Sequence, residues 1–303
     1  MTNSHIEADR ETIVVRTSEL NVACEVSGPT DGQPVFLLHG WPDDPRSWDG
    51  VLPALHERGF RTYVPALRGF GATRFAGDDA PRFGQLSALG KDLLETMDGL
   101  GIERCNVVGH DWGARAAYIA CCLAPERFSK CVAISVGWGT NDPDQPLSLR
   151  QAQNYWYHWL MALPRGERLV RDERRAFTRH IWSIWSPDRE IGDAEFTATA
   201  ASFDNPDWAD VVLHSYRVRW GHAPVDPRLD DIERRLREDP VISVPTLVLH
   251  GGADPCNAPS TSEDKEGLFD GGYERIVMPG IGHFPQREDA NATSHHLVSF
   301  LAG

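Results

Sequence analysis

The chain predicts an α/β protein: a mostly parallel, eight-stranded sheet flanked by helices, with a helical insertion late in the chain. Three observations carry this. Short apolar runs rich in valine and isoleucine recur, with helix-length segments between them. Such runs suit strands covered on both faces, as parallel sheets require. From about 138 to 236 the strand-like runs stop, and seven of the ten tryptophans fall in that stretch.

Thr12–Thr17 and Leu20–Ser27 read as an opening hairpin, which places antiparallel strands at one edge. Pro34–His39, Arg61–Ala66, Arg104–Gly109, Lys130–Val136, Pro245–His250 and Glu274–Met278 read as the later strands. Helices are expected over Arg46–Arg58, Leu86–Leu100, Gly113–Ala124, Ser262–Phe269 and Glu288–Leu301. Residues 1–137 and 237–303 then form one core domain, and 138–236 a helical cap. The cap's aromatic residues supply its own small core and an apolar pocket wall.

At 303 residues the chain can bury a sizeable core. Its formal charge of −14 argues against a nucleic-acid partner or an anionic membrane surface. No apolar run approaches the roughly 18 residues of a membrane span, and the polar segment Met1 to Arg10 lacks a signal-peptide core. A cytoplasmic location is the expectation. The six cysteines show neither a C-x-x-C pair nor metal-ligand spacing and read as buried, reduced thiols. Cys256, close to Asp254, is the candidate pocket-lining exception. Asn291-Ala292-Thr293 fits a glycosylation sequon but stands in a chain without a signal peptide.

Chemistry concentrates in four motifs. Gly109-His110-Asp111-Trp112-Gly113 has the form of a strand-to-helix nucleophile elbow, with aspartate where serine usually stands. A carboxylate there attacks an sp3 carbon and becomes an ester itself, so C–O or C–halogen bonds replace acyl groups as targets. The bland alternative is an aspartate N-cap. His39-Gly40-Trp41-Pro42 follows a buried strand; the backbone N–H groups of Trp41 and Trp112 are the candidate oxyanion hole. Gly280-Ile281-Gly282-His283-Phe284-Pro285 sets a histidine on a turn after the last strand, at the sheet edge that carries the elbow. The eleven other histidines carry a structural presumption. Asp254, in His250-Gly251-Gly252-Ala253-Asp254, is the expected acid orienting His283; Asp142 is the second candidate.

These motifs, in this order and spacing, resemble those of α/β-hydrolase-fold epoxide hydrolases, and the resemblance spans nearly the whole chain. The Asp elbow and HGxP are shared with haloalkane and fluoroacetate dehalogenases, so the cap must discriminate. The resemblance implies two cap tyrosines that hydrogen-bond the epoxide oxygen. Tyr157, in Tyr157-His158-Trp159-Leu160, and Tyr216, in Ser215-Tyr216-Arg217, match those segments, with Tyr155 as a substitute for Tyr157. Trp41, Trp112 and Trp159 are the expected substrate-binding rings. A dehalogenase would use Trp112 as a halide donor, and many such enzymes carry Asn where Trp41 stands. The fluoroacetate enzymes carry D-R-x-x-R, whose two arginines clamp the substrate carboxylate; here Trp112 stands at the first arginine and Arg115 at the second. Arg115 reads as a surface-helix residue or a cap contact.

The implied reaction opens a small apolar epoxide on Asp111 and hydrolyses the ester with water activated by His283 and Asp254, releasing a vicinal diol. The alternatives are a haloalkane or haloacid dehalogenase with the same triad, and a non-catalytic ligand-binding receptor. No metal or organic cofactor is called for; water is the cosubstrate. The oligomeric state is left open, a homodimer included.

Overall fold

Successive side chains of a strand point to opposite faces, and β3 (Gln33–Leu38) shows the consequence. Val35 and Leu37 enter one apolar core, Phe36 and Leu38 the other. A strand buried on both faces has helices above and below it. The computed structural model describes residues 10–140, 146–189 and 192–303. Around β3 lie β1 (Glu11–Arg16), β2 (Leu20–Ser27), β4 (Phe60–Pro65), the two-residue β5 (Arg74–Phe75), β6 (Cys105–His110), β7 (Phe128–Ile134), β8 (Thr246–Gly251) and β9 (Tyr273–Met278).

The sheet order is β1-β2-β4-β3-β6-β7-β8-β9, with β5 paired to β2. The eight expected strands form the main path, and β5 is a ninth. β2 pairs antiparallel with β1, β4 and β5; every other pairing is parallel. One face carries α2 (Leu86–Gly99) and α3 (Trp112–Leu123). The other carries α1 (Leu52–Glu57), while the C-terminal α12 (Ala290–Ala302) adds Leu297 and Leu301 to that core.

Between β7 and β8 the described residues hold helices and no strand: α4 (Leu149–Asn154), α5 (Trp156–Ala162), α6 (Pro164–Asp172), α7 (Arg174–Trp185), α8 (Asp193–Ala200), α9 (Trp208–Val218) and α10 (Asp230–Glu238). Their aromatics join the core on the elbow side of the sheet. The short α11 (Pro285–Glu288) precedes α12. No helix among the described residues is long and apolar enough to cross a membrane.

Two expected helices are corrected. Ser262–Phe269 is not a helix; short 3-10 turns occupy Pro259–Ser262 and Glu266–Leu268. Asp264 between them has φ +54°, outside any right-handed helix. Arg46–Arg58 is split into a 3-10 turn, Pro45–Trp48, and α1. The last helix starts at Ala290 rather than Glu288, capped by Asp289, which accepts from the Ala292 N–H at 2.9 Å.

Candidate active site

β6 delivers Asp111 to its C-terminal end, where the chain must reverse at once into α3. The turn places Asp111 at φ +50°, ψ −112°. For a non-glycine residue such a conformation costs about 1–3 kcal/mol and persists only when its surroundings enforce it. Here they do. A methyl at Gly109 would fall on the Gly113 carbonyl, one at Gly113 on the Leu38 carbonyl, and one at Gly40 on Asp111 itself. The Asp111 N–H donates to Ile134 O at 3.2 Å and its carbonyl accepts from Arg115 N at 3.1 Å.

The Asp111 side chain turns away from its own helix, making no N-cap bond. Its Oδ1 accepts from the Trp41 N–H at 2.9 Å. The Trp41 half of the expected oxyanion hole is therefore in contact with the carboxylate. The Trp112 side chain points into the cap, where its indole Nε1–H donates to Tyr216 Oη at 3.2 Å. The histidine that opens HGWP is part of the scaffold. His39 Nε2 accepts from Leu67 N at 3.0 Å, so Nδ1 carries the proton and donates to Gly40 O.

His283 Nε2 lies 3.7 Å from Asp111 Oδ2, a gap wider than a hydrogen bond. Its Nδ1 donates to Asp254 Oδ2 at 2.8 Å. Asp254 is fixed in turn by the N–H groups of Cys256 and Asn257 on Oδ1, at 2.7 and 3.1 Å. All three side chains are buried. Burial opposes a charged Asp111, but its approach to His283 and the Trp41 N–H outweigh it and hold the carboxyl well below the usual range. For His283, burial favours the neutral ring; the Asp254 and Asp111 carboxylates reverse that and raise it well above the ordinary histidine value. Both shifts favour an imidazolium between two carboxylates.

Above it sit the cap phenols. The Tyr157 ring stacks on Trp41 at 5.5 Å, and the Tyr216 ring meets Trp41 edge-on at 5.1 Å. The two phenol rings are 5.4 Å apart. Burial first, then neighbouring charge including Asp111, pushes both phenols well above their ordinary value, so they stay protonated donors. Tyr155 is turned elsewhere: its hydroxyl donates to Asn257 Oδ1 at 3.1 Å, and its ring stacks on His158. Cys256 is buried beside this group, with Sγ 3.5 Å from Tyr157 Oη.

One expectation changes. Trp159 is 38% exposed, packs on Trp220 and donates to Ala152 O, so it faces out of the cap. Of the two readings of Arg115 the cap contact holds: it is buried and donates to Thr140 Oγ1 of the cap at 2.9 Å. Asp142 lies outside the described residues.

A family model for the α/β-hydrolase fold matches residues 33–290. The chain belongs to the α/β-hydrolase family. A solved structure from Klebsiella pneumoniae, provisionally assigned as an epoxide hydrolase, is 37% identical; the match covers 95% of this chain and 96% of that one, with TM-score 0.88. Epoxide hydrolase A of Mycobacterium tuberculosis is 25% identical, covering 96% of this chain and 97% of the relative. An epoxide hydrolase from Caballeronia sordidicola is also 25% identical, covering 92% and 91%.

Several residues position this α/β-hydrolase site without any signal in the motifs. The Glu288 carboxylate accepts from Gly282 N at 2.7 Å, Phe284 N at 2.9 Å and the Ser186 hydroxyl at 2.8 Å, clamping the histidine turn to the end of α7. The His283 N–H donates to Trp185 O at 2.8 Å, and its carbonyl accepts from His110 Nε2 and Ser135 Oγ. Arg287 pairs bidentately with Asp43, joining the histidine turn to the HGWP turn. Only His110, inside the elbow motif, stood where sequence reasoning was already looking.

The buried histidines make stability depend on pH. Burial lowers His39 and His110 from 6.5 to about 4, His110 also through His283. Between those values the unfolded chain binds protons that the folded chain refuses, so stability falls on acidification. Asp44, raised by burial and Asp43 to about 7, acts in the opposite direction with one proton. His158, also held low by burial, acts with His39 and His110, and together the three outweigh Asp44 and the raised His283, leaving a net loss. The urea midpoint is expected to drop between pH 7 and pH 5; a flat or rising midpoint contradicts this assignment.

Proposed function

We propose that the chain hydrolyses an epoxide to a vicinal diol through a covalent ester on Asp111. The observation that carries this reading is a buried carboxylate facing His283 beneath two buried phenols. Asp111 attacks an epoxide carbon while Tyr157 and Tyr216 hydrogen-bond the oxygen that becomes a hydroxyl. Esterification neutralises Asp111 and removes one of the two anions that held His283 protonated. The imidazolium then yields the proton that the opened oxygen needs, relayed through the phenols. Neutral His283, oriented by Asp254, takes a proton from water as it attacks the ester carbonyl. The Trp41 and Trp112 N–H groups hold the oxyanion. Diol leaves, and Asp111 and the imidazolium are restored.

Residues 1–137 and 237–303 act as the hydrolase core and 138–236 as its cap, in a cytoplasmic enzyme. Trp41 and Trp112 line the epoxide end of the pocket. In the halide reading the Trp112 indole would hold the leaving halide; here that N–H donates to Tyr216. Styrene oxide and 1-bromobutane separate the two chemistries: diol from the first without bromide from the second is expected. Bromide release without diol would make the chain a dehalogenase.

A further inference from the structure

We propose that Arg219 is a positioning residue for epoxide opening: its guanidinium over the Tyr216 ring makes Tyr216, of the two cap phenols, the one that passes its proton to the opening oxygen. The proposal rests on the epoxide-hydrolase reading and divides the work of its two tyrosines.

The two phenols have unlike surroundings. Arg219, just past α9, holds its guanidinium 4.6 Å from the centre of the Tyr216 ring and 5.5 Å from that of Trp112. Its Nη2 donates to Ser215 Oγ at 3.0 Å, and its buried Nε–H has no partner. Among the described residues no carboxylate pairs with it, whereas Arg217, two positions earlier, pairs with Glu167 at 2.9 Å. The charge of Arg219 is therefore met by ring faces rather than by an anion. Tyr216 Oη also accepts from the Trp112 indole N–H at 3.2 Å. Among the described residues Tyr157 has neither feature. Its ring meets Trp41, Trp185 and Tyr216, and its hydroxyl lies 3.5 Å from Cys256 Sγ, a weak partner.

Both features of Tyr216 favour a phenolate over a phenol. A deprotonated ring is more negative, so a cation at its face is held more strongly. An N–H donor at the oxygen stabilises the anion as well. Burial and then the Asp111 charge raise the Tyr216 phenol, while Arg219 and the Trp112 N–H pull it back. His158, whose ring is 4.6 Å from that of Tyr216, is held well below its ordinary value by burial and stays neutral. The cation at the Tyr216 ring is thus Arg219.

The step balances. Asp111 bonds to carbon, the C–O bond breaks, and the freed oxygen takes the Tyr216 proton. Arg219 and the Trp112 N–H hold the phenolate until the proton that His283 gives up on esterification restores it. Tyr157 hydrogen-bonds the same oxygen and keeps its own proton.

The test is a double-mutant cycle on the single-turnover rate of ester formation from styrene oxide. Arg219→Met should slow that rate by about tenfold or more in the wild-type and Tyr157→Phe backgrounds. In Tyr216→Phe, which has no proton to give there, the further loss should stay below about twofold. Arg219→Lys should recover most of the rate because it keeps a cation. Hydrolysis of the ester, which uses His283 and Asp254, should be unchanged throughout. Ser215→Ala frees the guanidinium and should repeat the pattern more weakly, so it carries the cycle where Arg219→Met does not fold. Equal losses in the two tyrosine backgrounds overturn the role, because Arg219 would then only pack the cap. A larger loss in Tyr216→Phe than in Tyr157→Phe overturns it too and gives the proton to Tyr157. Wild type that releases bromide from 1-bromobutane but makes no diol from styrene oxide overturns the epoxide reading itself, and this role falls with it.

Discussion

Changing Tyr157 and Tyr216 together to phenylalanine is expected to lower kcat/KM for an epoxide by about 10³-fold or more, within the range that positioned acids supply. Both rings would keep their places, because each is fixed by aromatic packing: Tyr157 on Trp41 and Trp185, Tyr216 on Trp41 and His158. What is lost is the pair of donors at the oxygen. Opening without them leaves an alkoxide in a site that excludes water. Each single variant should lose less, about 10- to 100-fold, because one phenol remains. Tyr155→Phe is the control. Its hydroxyl serves Asn257, so epoxide turnover should change little while melting temperature falls. Retained turnover in the double variant would remove both tyrosines from the mechanism.

Changing His283 to glutamine should stop the reaction at the ester. Attack by Asp111 needs its ionised carboxylate, held by the Trp41 N–H, and the two phenols at the epoxide oxygen. Without the imidazolium that oxygen takes its proton more slowly from solvent, whereas ester hydrolysis loses the base that activates water. The expected result is an enzyme heavier by one substrate mass, with the increase on the peptide that carries Asp111 and steady-state turnover down by about 10³-fold or more. An increase on a different residue would reassign the nucleophile. The wild-type alkyl-enzyme should show the linked effect: because the ester has lost the Asp111 charge, His283 becomes deprotonated at lower pH there than in the resting enzyme. Single-turnover decay of the ester at graded pH measures that difference.

The parts of this site readable from sequence are those that short segments specify alone. The elbow needs a strand, two glycines and a small-residue helix, all within a few positions of Asp111. Asp254 and His283 were legible because each lies in a loop just after a predicted strand, and the parallel sheet brings those loops to one edge. The choice between Tyr155 and Tyr157 was not legible. Tyr155 sits at the joint between α4 and α5, so no single helical period relates the two rings to the pocket. Trp159 was misplaced for a related reason: α5 is short, and packing on Trp220 sets its outward face. Glu288 and Arg219 gave no local signal. Glu288 looked like the start of a helix, yet its carboxylate serves the turn before it and Ser186, 102 positions away. Arg219 looked like one charge among many until its neighbours proved to be the rings of Tyr216 and Trp112.

The central claim, that Asp111 itself becomes the ester, is tested most directly by one turnover in ¹⁸O-water with enzyme in excess over epoxide. If the carboxylate attacks carbon and water attacks the ester carbonyl, the first diol carries an unlabelled oxygen from Asp111, and the label is found in the peptide containing Asp111. A first diol that carries ¹⁸O, with an unlabelled Asp111 peptide, would mean that water attacks the epoxide directly and would contradict the account.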